Sequence, residues 1–335
     1  MKKFLTKKVI NVLAKEIKKE NLRKFFEEIA SEYKIIAPVK KGEDIVYTEV
    51  ENFEDVVLDY TTTITPIKRF LLPYKETMFT FEKEKIREKL TEEKLALFAL
   101  HICDINAIAR LDKVFWNDPY YRARREKLLI VGITCKPGEK CFCKSVNANV
   151  LQPICDVFLK ANEHGYHAVS YTETGRKMLN SFLFTQTNVE IKEVKVEYAE
   201  AKHIDLHKVS ENILKNYENP VWEETAKKCL GCTNCTVVCP LCYCYDVVDN
   251  TYVKPEEGER VRCWDSCFLL SFARVAGGHN FRKDLKARYR NVYTHKFRTF
   301  MDEFGVPACV GCGRCVTYCP ASIDMRETLT KIGGA

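Results

Sequence analysis

The chain has 335 residues, 46% hydrophobic and 30% charged, with a formal charge of +7, which leaves room for one to three globular domains. No apolar run reaches about 18 residues, and Lys15, Glu16, Lys18, Lys19 and Glu20 interrupt the N-terminal stretch, so neither a membrane span nor a signal peptide is expected and the cytosol is the default. Seventeen cysteines in such a chain point to metal ligation rather than a disulfide scaffold, and thiolate-held clusters would offset much of the +7, which is therefore not read as a nucleic-acid signal.

Along residues 2–33, Leu5, Val9, Ile10, Leu13 and Ile17 recur at helical spacing and predict a helix. Extended pieces follow at Tyr33–Val39, Asp44–Tyr47 and Met78–Phe81. The apolar runs Leu95–Ile102 and Leu128–Thr134 read as buried strands, with helical spacing over Ile105–Phe115 between them. Strands are also expected near 166–171 and 189–198. From about 205 helical segments dominate, including Lys286–Phe304, and 12 of the 17 cysteines lie beyond residue 228. The expected fold is α+β: an α/β domain over 1–204, then a helical ferredoxin-like two-cluster domain over 205–335, each with its own core.

One motif occurs twice. Cys229-x2-Cys232-x2-Cys235-x3-Cys239-Pro240 is matched by Cys309-x2-Cys312-x2-Cys315-x3-Cys319-Pro320, the spacing of bacterial two-cluster ferredoxins. Three cysteines of each run can wrap one [4Fe–4S] cubane from a tight loop, whereas the fourth reaches the other cubane. One cluster is thus assigned to Cys229, Cys232, Cys235 and Cys319, the other to Cys309, Cys312, Cys315 and Cys239. Zinc knots generally use separated pairs, often with histidine, and fit this spacing poorly.

Cys103, Cys135, Cys141 and Cys143 form a second kind of group. Cys103 and Cys135 each follow a predicted buried strand, and Cys103-Asp104 opens a helix whose free amides favour a thiolate. A third cubane and a set of buried structural cysteines are both open readings. Cys242, Cys244 and Cys267 either make a fourth metal site, with His279 as a spare ligand, or pack their thiols around the first motif. Cys155 reads as a buried apolar side chain. Cys263 is unassigned. His203 and His207, four apart, read as a solvated helix face. The aromatic runs Phe70–Tyr74 and Met78–Phe81 read as core. No glycine-rich nucleotide fingerprint, nucleophile elbow or His-Glu-x-x-His motif is present, so the inventory serves electron movement rather than bond chemistry.

Several stretches together resemble the iron–sulfur beta subunits of soluble nickel–iron sulfhydrogenases. They are Cys103-Asp-Ile-Asn-Ala-Ile108 with Leu111-Asp112, Tyr120-Tyr121 with Arg124-Arg-Glu126, Cys141-Phe-Cys143, Cys239-Pro-Leu-Cys-Tyr-Cys244, Trp264-Asp-Ser-Cys267, Gly277-Gly-His-Asn-Phe-Arg282 and Cys309-Val-Gly-Cys-Gly-Arg-Cys315. The resemblance covers nearly the whole chain. It implies a subunit without catalysis of its own, carrying electrons between a flavin subunit that meets NAD(P)H and a nickel–iron hydrogenase module. It also implies a third cluster at Cys103, Cys135, Cys141 and Cys143, and family positions at Cys242, Cys244 and Cys267. Cys155 and Cys263 fall outside the pattern, and Leu241 stands where the family often has threonine. The A subunit of anaerobic sulfite reductase, whose partner is a siroheme subunit, is similar and ranks second. A zinc-stabilised binding module and a stand-alone ferredoxin are the alternatives from other classes.

Overall fold

The computed structural model describes residues 12–254 and 256–334. Twelve strands follow in chain order: β1 (Leu13–Lys18), β2 (Lys34–Lys41), β3 (Asp44–Glu49), β4 (Lys75–Glu82), β5 (Lys85–Glu88), β6 (Leu95–Leu100), β7 (Leu129–Ile133), β8 (Val157–Ala161), β9 (Gly165–Ser170), β10 (Thr185–Gln186), β11 (Tyr245–Thr251) and β12 (Glu257–Trp264). Eight of them make one mixed sheet in the order β10-β1-β9-β8-β7-β6-β2-β3. Its centre, β2-β6-β7-β8, is parallel, and its flanks are antiparallel. β6 and β7 are apolar throughout because both of their faces are covered. The helix Leu22–Ala30 covers one face through Leu22, Phe25, Phe26 and Ile29, an i, i+3, i+4, i+7 stripe. The helix Ile102–Phe115 covers the other through Ile105, Ile108 and Leu111.

β6 carries a bulge. Its register with β7 shifts between Leu97 and Leu100, and Ala99 takes φ +59°. Leu97 and Leu100 therefore face the same core although three residues apart. The strand end is re-aimed, so that His101 caps the helix and Cys103 lies in its first turn.

The predicted N-terminal helix is corrected where it can be seen. Leu5, Val9 and Ile10 lie outside the described residues, but Leu13 and Ile17 are on β1. All six residues of that strand pair with β9, and β10 pairs on its other edge. The ladder outweighs a helical preference worth only tenths of a kcal/mol per residue. Over 189–198 there is no regular strand, only a bridge between Val150 and Lys195 flanked by backbone hydrogen bonds to 149–151. That segment straps a loop rather than joining a sheet.

Beyond 205 the chain is less helical than its pattern predicts. β11 and β12 form a hairpin, and β12 pairs with β4 to give a second sheet, β11-β12-β4-β5. This sheet draws two strands from each side of the expected 204/205 boundary. Arg262 on β12, buried, bonds Glu76 of β4 at 2.6 Å and Asp118 at 2.5 Å, and Arg124 also reaches Glu76. The larger core crosses the same boundary, running from Leu97 and Ile105 to Phe297, Val310 and Leu329. The expectation of two separate cores does not match this packing. The stretch expected as Lys286–Phe304 is helical as Leu285–Thr294, a wider turn over His295–Thr299, and Phe300–Phe304.

Candidate metal centres

The two cysteine runs fold alike. In the first, Gly231 and Thr233 are left-handed (φ +65° each); in the second, Gly311 (+64°) and Gly313 (+73°) occupy the equivalent positions. Each reversal turns backbone N–H groups inward, the arrangement that suits a bound anion. The N–H of Gly231 lies 3.4 Å from the Cys229 sulfur and that of Gly311 3.4 Å from the Cys309 sulfur. Leu241 and Ile323 donate likewise to Cys239 and Cys319, at 3.4 and 3.3 Å. Short helices, Asn234–Val237 and Arg314–Thr317, then carry the third cysteine of each run.

All eight cysteines of the two runs line one cavity, together with Phe142, Lys296 and Arg314. The sulfurs surround a space rather than a point: among the described residues, no three His, Cys, Asp or Glu side chains are drawn together closely enough for a single ion. Their electrostatics sort them. Burial pushes the Cys229 thiol up, the Gly231 N–H opposes this, and Cys232 and Cys319 push it further. Burial and Lys296 act in opposite senses on Cys309, which stands at about 12 with Cys239 and Cys312 adding to the rise. Cys315 is pushed well up by burial and then by Cys309, Cys312 and Cys239. Cys239 thus acts on Cys309, Cys312 and Cys315 of the second run as well as on Cys235 of its own, and Cys319 acts on Cys229. Raised thiols bind metal only by releasing a proton, so acid weakens loading.

The N-terminal set lies against the second run. Phe142 N–H donates to the Gly311 carbonyl at 2.8 Å, and the Cys141 sulfur is 3.9 Å from the Cys312 carbonyl oxygen. Burial pushes Cys135 up to about 12, with Cys143 and Cys141 adding to it. Cys103 is pushed well up by burial and then by Asp104, opposed by Arg314, with smaller contributions from Cys312 and Cys135. Cys143 is raised by burial to about 11 although Tyr198 opposes the rise, the Tyr198 hydroxyl oxygen accepting the Cys143 N–H at 3.0 Å. Four cysteines from two strand ends and one loop are thus neighbours, next to the second motif.

Residues 228–323 match the family described as "4Fe-4S dicluster domain". Across 324 residues the chain is 36% identical to sulfhydrogenase 2 subunit beta of Pyrococcus furiosus, covering 93% of this chain and 96% of that protein. The chain belongs to the sulfhydrogenase beta-subunit family. No solved structure matches it. Among the described residues of this beta-subunit homologue, no helix is long and apolar enough to cross a membrane.

Cys242, Cys244 and Cys267 gather beside the cavity. Cys242 bonds the Cys239 sulfur, which holds Cys239 well below the usual thiol range. Cys267 bonds Cys244 and brings it down to about 6 against the effect of burial. Cys263 stands apart on β12, opposite Asp246 and Lys75. His279 is exposed and packs edge-on to Phe281. Cys155 is fully buried. His203 and His207 are exposed, and His203 precedes the helix Leu206–Asn212 rather than lying on it.

Sequence reasoning missed the cations. Lys296 donates to the Cys239 sulfur at 3.3 Å and the Ala308 carbonyl at 2.9 Å. Lys68 donates to the carbonyls of Thr236 (3.0 Å) and Cys242 and lies 4.0 Å over the Trp264 ring. Both are buried, and among the described residues neither has a carboxylate within ion-pair distance. Burial lowers Lys68 even though Cys242 and Cys239 oppose it, whereas for Lys296 Cys239, Cys242 and Cys309 outweigh burial and the ammonium is held well up. An isolated buried ammonium is expensive. Anionic clusters held by the cysteines would neutralise both, so the residues present fit [4Fe–4S] groups. No sequence signal marked them: Lys68 is followed directly by Arg69, and Lys296 lies in the polar run Thr294-His295-Lys296-Phe297-Arg298.

Proposed function

We propose that this chain is the electron-conducting iron–sulfur subunit of a sulfur-reducing hydrogenase complex, with three [4Fe–4S] sites in a row. The first would be held by Cys229, Cys232, Cys235 and Cys319, the second by Cys309, Cys312, Cys315 and Cys239, and the third by Cys103, Cys135, Cys141 and Cys143. Bound clusters supply one-electron storage. The protein supplies burial, inward N–H groups and the cations Lys68, Lys296 and Arg314. The observation that carries the reading is the seating of the Cys141–Cys143 loop directly on the second motif, which makes the three cysteine sets consecutive. Cys242, Cys244 and Cys267 act as thiols packed against Cys239 and the first site rather than as a fourth set.

At the first site Cys232 is exposed beside Leu230, itself 69% exposed, and Leu269, Leu270 and Phe281 add exposed apolar surface after Phe268, which lines the cavity. Such surface suits a docked subunit. The companions are a flavin- and NAD(P)H-binding subunit at one end and a nickel–iron subunit at the other, in the cytoplasm. Anaerobic purification of the tagged chain tests this. The expected companions are those two subunits, with about twelve irons per chain by four-iron stoichiometry. A siroheme companion would overturn the hydrogenase assignment, and about eight irons would remove the third site. Replacing Cys141 and Cys143 by serine should abolish NAD(P)H-linked turnover while each partner keeps its dye-linked activity.

A further inference from the structure

One ion pair lies in the wall between the second and third cysteine sets. Arg314 is 1% exposed and Asp104 is fully buried, and Arg314 Nη2 meets Asp104 Oδ2 at 2.8 Å. Asp104 follows Cys103 directly; Arg314 lies between Cys312 and Cys315. The pair is braced from behind. Arg314 Nε donates to the Thr63 carbonyl and Nη2 to the Thr63 hydroxyl, both at 2.8 Å. The Tyr47 hydroxyl donates to Asp104 Oδ2 at 2.9 Å and lies 2.8 Å from the hydroxyl of Tyr60, which donates to the Ala99 carbonyl. Yet Arg314 Nη1 and Asp104 Oδ1 are buried without any protein partner.

A buried pair of this kind is commonly no more stable than apolar residues of the same size, and an unmet guanidinium N–H costs more still. The bracing orients Arg314 instead of satisfying it, and Arg314 lines the cavity with the eight cysteines. We propose that Arg314 is a positioning and tuning residue whose free Nη1 donates to sulfur of the second site, and that the Arg314–Asp104 pair sets the reduction potentials on either side of the wall in opposite senses. This rests on the cluster reading above and deepens it. The placement gives the sense: the carboxylate adjoins Cys103 of the third set, and the guanidinium lies between Cys312 and Cys315 of the second. A cation stabilises the reduced, more negative state and raises a potential; an anion lowers it. The pair therefore raises the second site relative to the third.

The test is a redox titration followed by electron paramagnetic resonance, on the full chain with its iron counted, for Arg314→Gln, Arg314→Lys and Asp104→Asn. Arg314→Gln should lower the midpoint of one centre, Asp104→Asn should raise that of another, and Arg314→Lys should restore most of the Arg314→Gln loss. Unshifted midpoints, or shifts of the same sign in the Gln and Asn variants, with iron intact, overturn the proposal. If Arg314→Gln loses iron, Asp104→Asn, nearly isosteric, decides alone: an unshifted midpoint sinks the proposal. Eight irons in the unaltered protein would instead discard the third site, and the Arg314→Gln shift at the second would still be read.

Discussion

Arg110 shows how much one side chain can organise. From the helix Ile102–Phe115 its guanidinium reaches the carbonyls of Pro307 (2.8 Å), Cys309, Val146 (3.1 Å) and Asn147 (3.3 Å). It thereby ties the loop after Cys143 to the start of the second motif. Burial brings its pKa down to about 10 while Cys309 resists. Arg110→Ala strands four carbonyls and should cost about 3 kcal/mol or more, read as faster thermal bleaching of the visible absorption. Asp324 caps the helix Met325–Gly333, accepting the Arg326 N–H at 2.9 Å. Burial pushes its carboxyl up, but the Arg326 hydrogen bonds and Lys202 outweigh this and hold it below 3.8. Its stabilisation is therefore full above the ordinary aspartate range and lost as pH falls through the lowered value. Asparagine caps a helix about as well as aspartate, so Asp324→Asn tests the charge interactions with Arg326 and Lys202 alone and should destabilise at pH 7 by up to about 1 kcal/mol. The gap between variant and parent in far-ultraviolet circular dichroism melts should begin to narrow below roughly pH 4 and close once the pH is under the lowered value; a gap unchanged through that fall would contradict a charge-based contribution.

At the scale of elements, close approach decides. A Cβ on Gly311 would overlap the Phe142 carbonyl and the Cys143 nitrogen, and one on Gly313 would come within 2.8 Å of the Lys140 oxygen. With φ positive at both, alanine is also strained. Gly311→Ala should force the Cys141–Cys143 loop off the second motif and lower iron by about four atoms per chain, one cubane, measured on anaerobically purified protein. Full iron retention would show that the loop contact is dispensable. The bulge in β6 makes a comparable demand. Ala99→Val raises strand propensity but places a β-branched residue at φ +59° in a full core. A loss of about 2 kcal/mol or more is expected from strain and overpacking, checked by denaturant melts.

Across the whole molecule, cluster sites and core are interdependent. Lys68 and Lys296 are buried against cysteines and carbonyls, with the Trp264 ring beside Lys68, and the core that contains Cys309 and Cys267 also contains the sheet residues Leu97 and Ile130. Removing iron would leave two ammoniums without anions in the middle of that core. Chelation under anaerobic conditions should therefore loosen both halves together, because the metal's binding free energy is also folding free energy. Limited proteolysis reads this. Cleavage confined to residues beyond 205 would instead indicate that the sheet holds independently.

Spacing alone carried the paired cysteine runs, because a loop that offers three thiolates to one cubane fixes their intervals, and those intervals are written in the sequence. It also made the family legible, through short chemical stretches such as Cys103-Asp-Ile-Asn and Cys309-Val-Gly-Cys-Gly-Arg. The buried parallel strands β6 and β7 were legible because burial on both faces permits only apolar residues. What the intervals could not hold was anything decided between segments. β1 looked helical because its partners, β9 and β10, lie more than 140 residues away. The β11–β12 hairpin needed β4 as a template, and the 204/205 boundary dissolved once that pairing formed. Lys68, Arg110, Lys296 and Arg314 are four among 53 lysines and arginines, and their sequence neighbours do not set them apart. Only the tertiary structure buried them, and burial is what turns a common charge into a determinant of the site, since a cation removed from water must find carbonyls, a carboxylate or thiolates to face.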